Sequence, residues 1–292
     1  FHPYKVAGLP VLLALYASVA LGFGDFFAGV GGRKNPHPGA VMSMAFVASI
    51  VGSVIAGVYV LIFPPAAFGS DDLFWCLVAT GFAAFARPLL YLGMERGPIV
   101  IFAPVMGVIT LIVPTIAAPL IGQSLGALEW LSLGLSLPAV VLIVSEGGGP
   151  SFSAIRANAI LPLAITVGVL IGGVSISLGQ VDAEVGALPA LITQFGSMLL
   201  IPVVTRPIRP MAPLSSGVVR FGVLVGVVDI GAVIASTIAF QRGNVAVVAA
   251  VLGFAPAVTI ALASRVFGEH VRGWQWAGVG LAGFCVVLFA LA

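Results

Sequence analysis

The chain has 292 residues, 60% of them hydrophobic and 8% charged, with a net charge of +2. A soluble domain carries roughly 25% charged residues, so most of this surface must face lipid, and an ordinary water-soluble enzyme or binding module is excluded. The charge is too small, and too free of basic tracts, to suggest nucleic acid as a partner.

A helix needs ~20 mostly apolar residues to cross ~30 Å of hydrocarbon. In chain order, ten segments meet that requirement: residues 11–32, 40–63, 72–94, 98–120, 126–146, 158–180, 185–205, 217–240, 244–267 and 274–292. Their apolar runs are continuous rather than alternating, which predicts helices and not the strands of a barrel. Helices also satisfy every backbone polar group within the lipid. The first segment lacks a convincing cleavage site and reads as a retained helix. The start at Phe1 rather than Met carries the expectation that native terminal residues are missing.

The punctuation agrees with these bounds. Arg33-Lys34-Asn35-Pro36-His37-Pro38 ends the first segment, Pro64-Pro65 and Asp71-Asp72 separate the second from the third, and Arg206-Pro207-Ile208-Arg209-Pro210 follows the seventh. Glu146-Gly147-Gly148-Gly149-Pro150-Ser151 is the longest flexible stretch and falls at the middle of the chain. Gly168 and Gly172, like Gly222 and Gly226, lie one helical turn apart, where missing side chains let backbones approach. Pro88, Pro104, Pro114, Pro119 and Pro256 fall inside segments and can bend them. Trp75, Trp130, Trp274 and Trp276 lie near segment ends, as an interfacial belt requires. Cys76 and Cys285 lack metal-ligand spacing and read as small core residues.

The two halves match each other at a constant offset of half the chain length. Arg96-Gly97 answers Arg242-Gly243, Gly107 answers Gly253, Gly122 answers Gly268, Trp130 answers Trp276, Gly134-Leu135 answers Gly280-Leu281 and Val140-Val141-Leu142 answers Val286-Val287-Leu288. The expected organisation is therefore an all-α membrane protein of ten transmembrane helices. Residues 1–146 form one five-helix repeat, 147–157 a linker and 158–292 a second repeat. An odd number of spans per repeat inverts the second copy, placing the pair around a central cavity. Such a pair implies transport by alternating access, and one chain is sufficient to hold a complete path.

An ionisable group in mid-bilayer costs at least ~2.5–3.5 kcal/mol and so needs a reason. Asp229 stands at the middle of the eighth segment and Arg87 well inside the third, next to Pro88. Asp229 reads as lining a substrate or ion path, or as a structural hydrogen-bonding group; Arg87 as a cavity cation, a packing ion pair or a snorkelled surface group. Asp25, in Gly22-Phe23-Gly24-Asp25, belongs in the cavity or at the segment's end. Gln194 could bind substrate or join helices, and Tyr91, one turn after Arg87, could supply a hydroxyl, an aromatic wall or core packing. A carboxylate and a guanidinium in one cavity suit a zwitterion, with Asp229 taking an ammonium and Arg87 clamping a carboxylate. Alternatively Asp229 carries a coupling proton, because the protonation of a buried carboxyl responds to its access to water.

These features together resemble the drug/metabolite transporter superfamily, in its ten-helix EamA-type branch of bacterial amino-acid and metabolite exporters. The local match is strongest at the end of the second repeat, in Gly268-Glu269, Gln275-Trp276, Gly278, Gly280 and Gly283; the first repeat departs from it with Gly122-Gln123. The resemblance implies an inner-membrane exporter or exchanger of small metabolites, often amino acids, and an aromatic or other bulky neutral amino acid is the preferred expectation. It also implies a cavity lined by the third, fourth, eighth and ninth helices, which would put Arg87, Tyr91, Phe102, Asp229 and Thr237 near the path. No cofactor and no metal is expected. The partners are a small-molecule substrate, possible protons and the lipid bilayer.

Orientation divides the expectations. Arg33, Lys34, Arg96, Arg156, Arg206, Arg209, Arg265 and Arg272 follow odd-numbered segments, so the positive-inside rule puts both termini outside. The family resemblance implies cytoplasmic termini, and that is the preferred expectation. Rival readings are a nucleotide-sugar or lipid carrier, a passive channel and, remotely, an intramembrane aspartyl protease. The last would pair Asp25 with Asp229 and use Pro189-Ala190-Leu191, but in the reverse order along the chain and with the repeat unexplained. No His-Glu-x-x-His or Gly-x-Ser-x-Gly occurs, and no enzyme activity is expected.

Overall fold

The computed structural model describes residues 8–96, 99–144, 160–267 and 272–292. Its helices are α1 (Leu9–Lys34), α2 (Ala40–Ile62), α3 (Ser70–Arg96), α4 (Ile99–Leu120), α5 (Ala127–Val144), α6 (Ile160–Leu178), α7 (Leu188–Ile208), α8 (Ser216–Arg242), α9 (Val245–Leu252), α10 (Ala255–Phe267) and α11 (Gly273–Leu291). A short 3-10 turn, Ala183–Val185, precedes α7. No strand occurs among the described residues.

Seven of these helices, α1, α2, α3, α6, α7, α8 and α11, are long and apolar enough to cross a membrane, as in a multi-pass membrane protein; α4, α5 and the α9–α10 region contribute shorter apolar stretches by the same measure. The outer surface is correspondingly greasy. Leu61, Leu120, Val203 and Leu291 are among many large apolar side chains left exposed, an arrangement suited to lipid and costly in water.

The ninth expected segment, read as continuous over 244–267, is instead two helices broken at Gly253 and Phe254. Pro256 is the physical reason: it lacks an N–H, and its ring would collide with the carbonyl of Leu252 in an unbroken helix. At the break the bonding tightens. Phe254 N–H donates to the carbonyl of Val251 at 3.2 Å, and Ala257 N–H to that of Phe254 at 3.0 Å. Asn244 starts α9 by accepting the Ala246 N–H at 3.0 Å, an N-cap of the usual kind.

Packing follows the glycines. α1 lies along α8, α2 along α8 and α7, α3 along α6 and α7, α4 along α6, and α5 along α11. Gly222 and Gly226 meet α2 at Met44, Val47, Ala48 and Val51; Gly168 and Gly172 meet α4 at Met106, Ile109 and Val113. A side chain at any of these positions would force the helices apart. Cys76 and Cys285 are free and buried, the core role expected of them.

Candidate functional site

Five helices bring polar side chains together within this apolar bundle. Asp229 stands at the centre of α8, and α1 approaches it so closely that a Cβ on Gly24 would overlap Asp229 Oδ1. Glycine at 24 is therefore what admits the carboxylate. Asp229 Oδ1 is buried and has no hydrogen-bond partner. Asp25, the next residue on α1, feels the charge of Asp229, and both carboxylates feel that of Arg87 on α3.

Arg87 is anchored by uncharged groups. Its Nη1 donates to Ser49 Oγ on α2 at 3.1 Å, and its Nη2 to Gln194 Oε1 on α7 at 3.4 Å. Ser49 Oγ in turn donates to the carbonyl of Ala45 at 3.0 Å. Gln194 is 2% exposed, and its amide lies against Gly52, where a Cβ would displace it. No ion pair within 4.0 Å joins Arg87 to Asp25 or Asp229. Asp25, Arg87 and Asp229 all retain partial exposure. Inside a membrane, charged groups keep such exposure at tolerable cost only toward a polar cavity.

The charges do not balance. Two carboxylates face one guanidinium, which already spends a hydrogen bond from each terminal nitrogen on a neutral partner. With both carboxylates ionised, the cluster has room for one further positive charge, either a bound proton or a ligand's cationic group.

Of the residues singled out in the sequence, Asp25, Arg87, Gln194 and Asp229 come together. Thr237 stands apart from them along α8, and Phe102 belongs to an apolar cluster. Phe102 is fully buried, packed over Gly93 in an apolar cluster with Ala164 and Val167. Thr237 is fully buried on α8, two turns and so about 12 Å beyond Asp229 along the axis; its hydroxyl has no partner. The side chain of Tyr91 lies outside the described residues. Nothing in the sequence marks Ser49, Gly24 or Gly52 as a charge marks Asp229. The available signal for Ser49 was its spacing from Ser53, one turn along a span, where two small hydroxyls mark a polar stripe.

No family model matches the chain, and no curated protein does. A solved structure described as "Crystal structure of protein" is similar to it over 98% of this chain and 96% of that one, with a TM-score of 0.74 and 16% identity. At that identity the likeness shows the fold alone.

Proposed function

We propose that this protein is a secondary transporter of small metabolites, most simply amino acids, working by alternating access around Asp25, Arg87, Gln194 and Asp229. The observation that carries this reading is the unbalanced charged cluster itself, drawn from five helices and seated in the middle of an apolar bundle. Buried charge of that kind is retained where it handles an ion or a polar solute.

The pairing of helices supports the reading. Exchanging the two halves of the chain converts the α1–α8 contact into α6–α3, α1–α10 into α6–α4, and α2–α8 into α7–α3, while α2–α7 and α5–α11 map onto themselves. Gly22 lies against Ala255 and Val258, and Gly168, half a chain later, lies against Met106 and Ile109. We read this as ten spans in two inverted five-helix repeats, residues 1–146 and 158–292, of the EamA-type branch. Two such copies can trade conformations and expose one site to each side in turn.

In this reading the carboxylate pair takes the ammonium of an amino acid. Arg87 has N–H groups to spare beyond Ser49 and Gln194 and takes its carboxylate. A bulky neutral or aromatic side chain suits the surrounding apolar helices. The setting is the bacterial inner membrane and the direction export or exchange. Asp229 and Asp25 also offer the position for a coupling proton.

One observation favours a second reading, an intramembrane aspartyl protease: the Gly22-Phe23-Gly24-Asp25 segment does lie against Asp229, and two carboxylates sharing a proton can activate water. The same purified protein tests both. Uptake of labelled amino acids into proteoliposomes is measured with Asp229→Asn and Arg87→Gln beside the unaltered protein, with and without a pH gradient, and apolar peptides are assayed for cleavage. Saturable flux abolished in both variants supports the carrier, and gradient dependence adds proton coupling. Cleavage without flux, lost in Asp229→Asn, would sink the carrier and leave the protease.

A further inference from the structure

The described parts of α10 and α11 hardly touch, whereas the corresponding pair in the first half, α4 and α5, is packed. The gap is a groove of about 250 Å³, lined by Ala257, Val258, Ala261, Leu262 and Arg265 of α10 and by Val279 of α11. The α10 residues recur at intervals of one and three, which makes them a single stripe on that helix. From Ala257 to Arg265 the stripe runs about 12 Å, close to the ~15 Å depth of one leaflet of hydrocarbon.

The stripe changes chemistry along its length. Four apolar residues are followed by Arg265, in the last turn of α10 and exposed. Arg265 has no partner among the described residues. Residue 272, just before α11, is a second exposed arginine, with its guanidinium 4.9 Å from the centre of the Trp274 ring. Trp276, one turn into α11, is 53% exposed. Arg265 ends the groove's apolar stripe on α10, and Arg272 and Trp276 lie seven and three residues before Val279 on the helix that forms the other wall, an order that matches a phospholipid with headgroup at the interface and acyl chain below it.

We propose that this groove is a binding site for one anionic glycerophospholipid, its phosphate on Arg265 and Arg272 and one acyl chain along Ala257, Ala261 and Leu262. The choice of lipid comes from charge complementarity. Residues 265–272 hold two arginines and one carboxylate, Glu269, a net positive charge. A zwitterionic headgroup brings its own cation to that end and gains little there, whereas an anionic one gains from the excess. The groove lies close to the central cluster. Val258 lines it and also sits against Gly22 of α1, and Thr259 Oγ1 donates to the Gly22 carbonyl at 3.0 Å. A chain in the groove braces α10 against α1.

The test measures retention of phosphatidylglycerol and of phosphatidylcholine by native mass spectrometry of the full chain released from mixed micelles. Thermal unfolding with each lipid added is read in parallel. Expected is one retained phosphatidylglycerol and a rise in unfolding temperature with that lipid only. Retention should fall about fivefold in Arg265→Gln, the worth of one basic residue at a membrane surface. It should fall similarly in Ala261→Phe, which fills the groove. Arg220→Gln, an exposed arginine elsewhere, is expected to change nothing. Equal retention of both lipids, or equal loss in Arg220→Gln and Arg265→Gln, would overturn the site in favour of annular lipid or general charge. Should Ala261→Phe not fold, Arg265→Gln decides alone. Neither readout depends on transport, so failure here leaves the transporter reading standing.

Discussion

Arg87 shows why a charge in a span is legible in sequence while its setting is not. The cost of the charge marks the residue, and so it marks Asp229. Ser49, Gly24 and Gly52 carry no such mark, because serines and glycines fill membrane helices for packing as well. Their roles give two predictions. Gly24→Ala drives a methyl into the Asp229 carboxylate. It should lower stability by roughly 1–3 kcal/mol and abolish flux, while Gly29→Ala, with nothing within 4 Å, leaves flux unchanged and stability equal or higher by about 0.5–1 kcal/mol; melting curves and proteoliposome uptake check the pair. Arg87→Lys keeps the charge, but a single ammonium does not reproduce a planar fork reaching Ser49 and Gln194. Uptake should therefore remain far below the unaltered level. Ser49→Ala removes one hydrogen bond to a charged group, worth about 1.5–3 kcal/mol, and should raise the substrate concentration for half-maximal uptake at least about tenfold.

At the scale of elements, length and apolarity located the helices within a few residues, because in lipid the length of a span and the need to close backbone hydrogen bonds leave few alternatives. The exception is α9–α10. Pro256 announces a bend, but whether a proline bends or breaks a helix depends on what the freed groups meet. Here α9 is buried from Val245 through Val251 and capped at Asn244, so it stands as a unit of its own. Thr237 illustrates the same limit: that its hydroxyl is buried without a partner follows from packing that no short motif encodes. Pro256 is the second residue of α10, where a proline is tolerated; Pro256→Ala restores the donor that would let α9 and α10 join into one helix. If the break serves transport, the variant should melt at a higher temperature and carry substrate more slowly. A higher melting temperature with undiminished flux would make the break a matter of packing only.

At the scale of the whole molecule, charge separates by end. Arg209 Nη1 donates to the Pro38 carbonyl at 3.0 Å, and Ser43 Oγ to that of Ala212 at 2.8 Å. These contacts gather the basic ends of α1, α7 and α8, with Arg33, Lys34, Arg206, Arg209 and Arg220. At the opposite end Asp182 N–H donates to Asp72 Oδ1 at 3.0 Å, Ala66 N–H to the Glu184 carbonyl at 3.0 Å, and Gln241 Nε2 to the Gly186 carbonyl at 3.0 Å. Asp71, Asp72, Asp182 and Glu184 thus lie at the same end as the start of α1, which meets α8 where Pro10 lies against Gly243. The loop-by-loop charge count was legible in the sequence; its concentration at one end depends on how the helices pair. The positive-inside rule predicts that the basic end lies in the cytoplasm and the start of α1 outside. Because Cys76 and Cys285 are buried, single cysteines can be read against a quiet background. In intact cells a membrane-impermeant maleimide should label Ala67→Cys, exposed at the acidic end, at once. It should reach Leu214→Cys, 55% exposed at the basic end, only after permeabilisation. The opposite pattern would put the acidic end and the start of α1 in the cytoplasm, the orientation that the family resemblance implies. Equal labelling of both sites in intact cells would mean that the chain inserts both ways, so that a net bias of basic loops is too weak here to orient it.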